Sequence, residues 1–178
     1  MTTDSRARAE IVQELSELHG FDELDVLLLP LVPLVEMVVA DGRVQQAEID
    51  ILKDYTLRLL VALKEQSDGM AVVPKARATD FINRLLCLAP DSERIKRLRH
   101  LCLRLIQLDS NQRSVAEQER TLLEYCLDIA AASVVGYPYS IRGRVIQPEK
   151  RLLAELIRDM KYTERFVSAA GAPVATNH

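Results

Sequence analysis

Asp41 and Glu48 are the side chains of this sequence whose types and spacing could do chemistry. They bracket the stretch Asp41-Gly42-Arg43-Val44-Gln45-Gln46-Ala47-Glu48, where an apolar run stops at an Asp-Gly turn and a carboxylate follows in the first turn of the next helix. Acid, turn glycine, aliphatic residue and glutamate match the second half of an EF-hand loop. The first half is missing, because Val39 and Met37 stand where a calcium loop needs oxygen ligands. Two carboxylates can hold a divalent cation only weakly, with water and neighbouring acids completing the shell, and a closed high-affinity calcium site is excluded. The same residues also suit plain capping. Gly42 supplies a positive φ after a helix, and Glu48 can reach back to an orphan amide and complement the helix dipole.

A second acidic turn follows in Leu108-Asp109-Ser110-Asn111-Gln112-Arg113-Ser114-Val115-Ala116-Glu117-Gln118-Glu119. A shift of 71 positions lays Ile51, Leu52, Tyr55 and Leu59 on Leu122, Leu123, Cys126 and Ala130, and Glu48 on Glu119. A shift of 68 lays Asp41 on Asp109. Shared amphipathic spacing alone produces part of such a match, but acids at matching ends argue for two related αα-hairpins. If these pack side by side, Asp41, Glu48, Asp109 and Glu117 or Glu119 are expected to converge on one surface. Clustered carboxylates raise one another's pKa values and are relieved by a cation. Their hard oxygens favour Ca²⁺, Mg²⁺ or Mn²⁺.

The elements that must position these acids are helices. Ile11, Val12, Leu15 and Leu18 form a first stripe ended by Gly20. Asp22 is placed to cap a second helix, kinked by Pro30 and Pro33 and ending near Ala40. A third runs from about Gln46 to Gln66 and breaks at Ser67-Asp68-Gly69. Phe81, Ile82, Leu85 and Leu86 mark a fourth, closed by Pro90, and Asp91 or Ser92 caps a fifth. Ser114-Val115-Ala116-Glu117 reads as a capping box opening a sixth, which Gly136-Tyr137-Pro138 stops. Pro148 sits where a helix-starting proline belongs, ahead of a seventh. The expectation is an all-α, single-domain bundle of about seven helices. It has an N-terminal helix over 1–20, a helical domain over 21–170 and an unordered tail over 171–178.

Composition narrows the function classes. The 178 residues suffice for one sizeable core. The absence of Trp and an aromatic content of 4% favour packed helices over strands. A net charge of -3 gives no global basic field, so nucleic-acid binding is not expected. Cys87, Cys102 and Cys126 lie in apolar helical patterns, the profile of reduced core thiols in a cytoplasmic protein. Met1 to Glu10 is polar and of mixed charge, unlike a signal peptide. Val26 to Ala40 is too short and too interrupted to span a bilayer. There is no nucleophile–base–acid arrangement, glycine-rich phosphate loop or paired-histidine motif, so no catalytic or cofactor-binding residues are assigned.

The run Met37-Val38-Val39-Ala40-Asp41-Gly42-Arg43-Val44-Gln45-Gln46-Ala47-Glu48-Ile49-Asp50-Ile51-Leu52 resembles the signature of the TerB-like (tellurite-resistance TerB) family. The similarity spans roughly Leu24 to Gly136, with only the first motif specific. The resemblance implies an all-helical bundle with an internal pair of hairpins and a weakly bound divalent metal. It also implies a stress-response setting and a protein partner, which for related domains includes membrane-associated proteins. No membrane insertion is expected from the short Val26 to Ala40 run, and a homodimer is left open. Two departures stand out: Gln45 replaces the usual capping Ser, and the second turn lacks the Gly after its Asp.

The alternative is a helical interaction module in which the acids are only caps. Its surfaces would be the fifth helix, where Arg94, Lys96, Arg97, Arg99, His100 and Arg104 cover a polar face read as solvated, and the Tyr137-Pro138-Tyr139 patch. Arg142, Arg144, Lys150 and Arg151 add a smaller basic cluster.

Overall fold

Leu-rich stripes at helical spacing become eight α-helices in the computed structural model, which describes residues 3–66, 73–89, 91–108, 112–132 and 147–170. Among these residues there is no strand. Helix α1 (Thr3–His19) buries Ile11 and Leu15 against α6 (Ser92–Gln107). It ends at Gly20, whose φ of 67° lets the chain turn away while its amide donates to the Ser16 carbonyl.

The expected second helix is broken rather than kinked. It divides into α2 (Glu23–Val26), a single 3-10 turn (Leu29–Leu31) and α3 (Val32–Val39). Pro30 and Pro33 each sit at the start of the following piece, where a missing N–H costs nothing. That break accounts for eight helices instead of about seven. Asp22 closes a capping box over α2: its side chain accepts from the amides of Leu24 and Asp25, and its own amide donates to Asp25. Asp25 is itself buried, and ion pairs to Arg77 (3.0 Å) and Arg84 (2.7 Å) tie α2 to α5 (Lys75–Leu88).

Helix α3 is the axis of the bundle, with Leu34, Val35 and Val38 fully buried. It packs against α4 (Gln46–Gln66), α5, α6 and α7 (Gln112–Ala132). Helices α4 and α7 run antiparallel. Tyr125 meets Tyr55 ring to ring at 4.8 Å and donates to Asp54 at 2.8 Å. Beyond that contact, later residues of α4 (Leu59, Leu63, Gln66) line one cavity with earlier residues of α7 (Thr121, Gln118, Glu117). Helix α8 (Gln147–Ala170) lies against α6 and α7 through Leu152, Leu153, Leu156 and Met160.

Asp91 caps α6 by accepting from the Arg94 amide. Helix α7 begins at Gln112, ahead of the expected capping box, so Ser114 and Glu117 stand inside the helix rather than at its mouth. Cys102 and Cys126 are core thiols as expected, but Cys87 is exposed. It lies across α5 from the buried Ala78–Phe81–Leu85 stripe. The breaks at Ser67-Asp68-Gly69 and Gly136-Tyr137-Pro138, and the tail over 171–178, lie outside the described residues. No helix among the described residues is long and apolar enough to cross a membrane.

Candidate functional site

The turn between α3 and α4 is built by local chemistry. Asp41 Oδ1 accepts the Arg43 amide at 2.7 Å, a short Asx-type turn. Gly42 adopts φ 76° within it. Glu48 is the third residue of α4 and Oε2 accepts the Gln45 amide at 2.9 Å, a reverse cap on the helix start. Its second oxygen is different: Glu48 is 0% exposed, and Oε1 is buried with no hydrogen-bond partner among the described residues. A buried carboxylate oxygen without a donor is costly when ionised. Burial pushes the Glu48 carboxyl above its usual range, and the charges of Asp41 and Glu149 push it further the same way.

Glu149 is the residue that sequence reasoning missed. It is 1% exposed, occupies the third position of α8 as Glu48 does in α4, and has an interaction of its own. The sequence carried a signal for it: Pro148 at the second helical position predicts a helix start, and a glutamate beside it falls where a reverse cap belongs.

The expected convergence of Glu48 with Glu117 or Glu119 on one surface is not what the helices do. Because α4 and α7 are antiparallel, the start of α7 lies toward the end of α4. Taking the Tyr55–Tyr125 contact as the crossing point, Glu48 lies seven residues to one side and Glu117 eight to the other. At a rise of 1.5 Å per residue they stand roughly 20 Å apart along the bundle. Glu117 is exposed on the cavity wall, while Glu119 is buried and engaged on the core face of α7. In burial, Glu119 rather than Glu117 is therefore the counterpart of Glu48. Asp109 lies outside the described residues. The acids whose charges bear on Glu48 are Asp41 and Glu149. Among the described residues no group of three or more His, Cys, Asp or Glu side chains forms a ready metal cage.

The basic helix is solvated as expected at Arg97, His100 and Arg104, and departs from that reading at Arg99. Arg97 pairs with Glu14 at 2.6 Å, and Arg94 Nε donates to His19 Nδ1 at 3.2 Å. Arg99 is 2% exposed and bridges Glu36 of α3 (3.5 Å) to Glu155 of α8 (2.8 Å). Its hydrogen bond holds Glu155 below the usual carboxylate range, whereas burial raises Glu36 to about 7 against the pull of Arg99. Periodicity hinted at this, since Ile95, Arg99, Cys102 and Ile106 share one helical stripe. Of the cations assigned to a partner surface, Arg99 is consumed inside the fold, and Arg94 and Arg97 are tied to α1. The Tyr137 patch, Arg142 and Arg144 lie outside the described residues.

No protein-family model matches the chain, and neither a curated protein nor a solved structure matches it.

Proposed function

We propose that this chain is a non-enzymatic helical binding protein whose acidic corner, at the starts of α4 and α8, takes up a hard divalent cation weakly. The observation that carries the reading is the buried, donor-less Glu48 Oε1 in the negative field of Asp41 and Glu149. A cation there would offset both the desolvation of Glu48 and the repulsion among the acids. Glu48 and Asp41 would supply the first oxygens and Glu149 long-range charge, with water filling the remaining positions. So few protein ligands imply a Kd of about 10⁻⁴–10⁻³ M. Such a cation would brace the α3–α4 turn against α8 and would supply no reaction chemistry. The TerB-like resemblance of the Asp41 motif suggests a stress-response setting and a protein partner.

A second reading, a scaffold in which the acids are caps only, is favoured by the amides already held by Asp41 (2.7 Å) and Glu48 (2.9 Å). Calorimetric titration with Ca²⁺ and with Mn²⁺ separates the two. The metal reading expects saturable heat that Glu48→Gln abolishes, since glutamine keeps an acceptor for the Gln45 amide but loses the charge. Absence of heat in the wild-type chain, or equal affinity in Glu48→Gln, leaves only the scaffold.

A further inference from the structure

The α4–α7 pair closes at the two tyrosines and opens beyond them into a cavity of about 640 Å³, within the range of about 300–1,000 Å³ that encloses small organic ligands. Its lining is two-toned. Leu29 and Cys102, both almost fully buried, belong to the deep part, and Leu59, Leu63 and Leu105 continue an apolar wall. Burial raises the Cys102 thiol to about 12, as expected for a thiol with no polar support. Around the mouth the lining turns ionic, with Arg8 of α1, Arg58 of α4 and Glu117 of α7. Arg58 is committed to Asp54 at 3.0 Å and lies over the Tyr125 ring. Arg8 is exposed and makes no ion pair among the described residues.

We infer that this cavity is a binding site for a fatty acid, its alkyl chain lying between α4 and α7 and its carboxylate at Arg8. Shape favours a slim chain. A helix of a partner protein is about 10–12 Å across, too thick to enter while the Tyr55–Tyr125 contact holds α4 to α7. Charge favours a single negative headgroup: Asp54 offsets Arg58, Arg8 is the lining cation without an ion pair among the described residues, and Glu117 opposes a dianion. A guanidinium fork also matches a carboxylate in geometry. Each methylene removed from water adds about 0.8 kcal/mol of driving force, so the apolar wall supplies affinity and Arg8 supplies headgroup preference. The site is separate from the acidic corner and does not depend on metal.

The test uses the full chain in metal-free buffer, titrated calorimetrically with dodecanoate and with dodecanol, both below their aggregation concentrations. Dodecanoate is expected to bind saturably at one per chain. Arg8→Gln, a surface change that leaves the core alone, should weaken dodecanoate roughly tenfold, the low end for a charge-assisted hydrogen bond, and leave dodecanol unchanged. Ala62→Phe, which fills the cavity from α4, should weaken both at least tenfold while the far-ultraviolet helix signal persists. If Ala62→Phe unfolds, the Arg8→Gln contrast between the two ligands decides alone. The inference is overturned if wild-type chain takes up no dodecanoate, or if Arg8→Gln alters both ligands equally. It also fails if folded Ala62→Phe binds like wild type, or if the chain is a dimer that Ala62→Phe dissociates and neither form binds dodecanoate.

Discussion

Replacing Glu36 by glutamine should make the chain more stable at pH 8 and leave it nearly unchanged at pH 5. Glu36 lies on the central helix, 8% exposed, and among the described residues its ion pair is with Arg99 at 3.5 Å, a long contact. Two effects compete. Arg99 favours the carboxylate, and desolvation, joined by the charges of Glu155 and Asp159, opposes it. Desolvation wins, because the carboxyl is raised from 4.5 to about 7. The folded chain then holds this proton more tightly than the unfolded chain. Between about pH 4.5 and 7 the native state binds more protons, so stability falls as pH rises through that window and levels off above it. At 1.36 kcal/mol per pH unit the full loss is about 3 kcal/mol. Glutamine has the shape of the protonated form at every pH and leaves Arg99 its 2.8 Å bond to Glu155. Urea unfolding followed by circular dichroism at pH 5 and pH 8 reads the difference directly. His19, lowered by burial, and Glu48, raised by it, also titrate on folding, but they are common to both chains and cancel. Parallel stability profiles, or a glutamine variant less stable at pH 8, would refute the reasoning and show that the Arg99 pair outweighs the burial of Glu36.

Two further tests address local geometry. Gly42→Ala should cost about 1–2 kcal/mol, because φ 76° is strained for any residue with a Cβ, while the added carbon meets nothing within 4 Å. Gly42→Asn should cost less, and an alanine variant as stable as wild type would mean the turn does not require a left-handed residue. A thiol reagent applied to the native chain should modify Cys87 alone, since Cys102 and Cys126 are buried and burial raises both thiols. Mass spectrometry showing two or more fast-reacting cysteines would contradict that packing.

Local order was written in the sequence because it rests on short-range physics. Helical stripes need only a 3.6-residue period, and caps need only a side chain within a few residues of an unpaired amide. Asp22, Asp91, Gly20, the Asp41-Gly42 turn and the Glu48 reverse cap were all legible on those grounds. The proline break between α2 and α3 was half legible, as a kink, because how far a helix yields at Pro30 and Pro33 depends on what it packs against.

What only the tertiary structure decided is which acids and bases become neighbours. Like spacing in α4 and α7 suggested side-by-side corners, but a period carries no direction, and the antiparallel Tyr55–Tyr125 crossing sends Glu117 to the far end of α4. Glu149, more than a hundred residues beyond Asp41, is the distant acid whose charge reaches Glu48. Arg99 reads as one more cation on a charged helix until α3 and α8 close over it from either side. The sequence by itself determined where helices form and several of their caps, such as Asp22, Asp91 and Glu48. The mutual orientation of those helices, set by long-range packing that no local pattern encodes, decided where charge is buried and where a cavity opens.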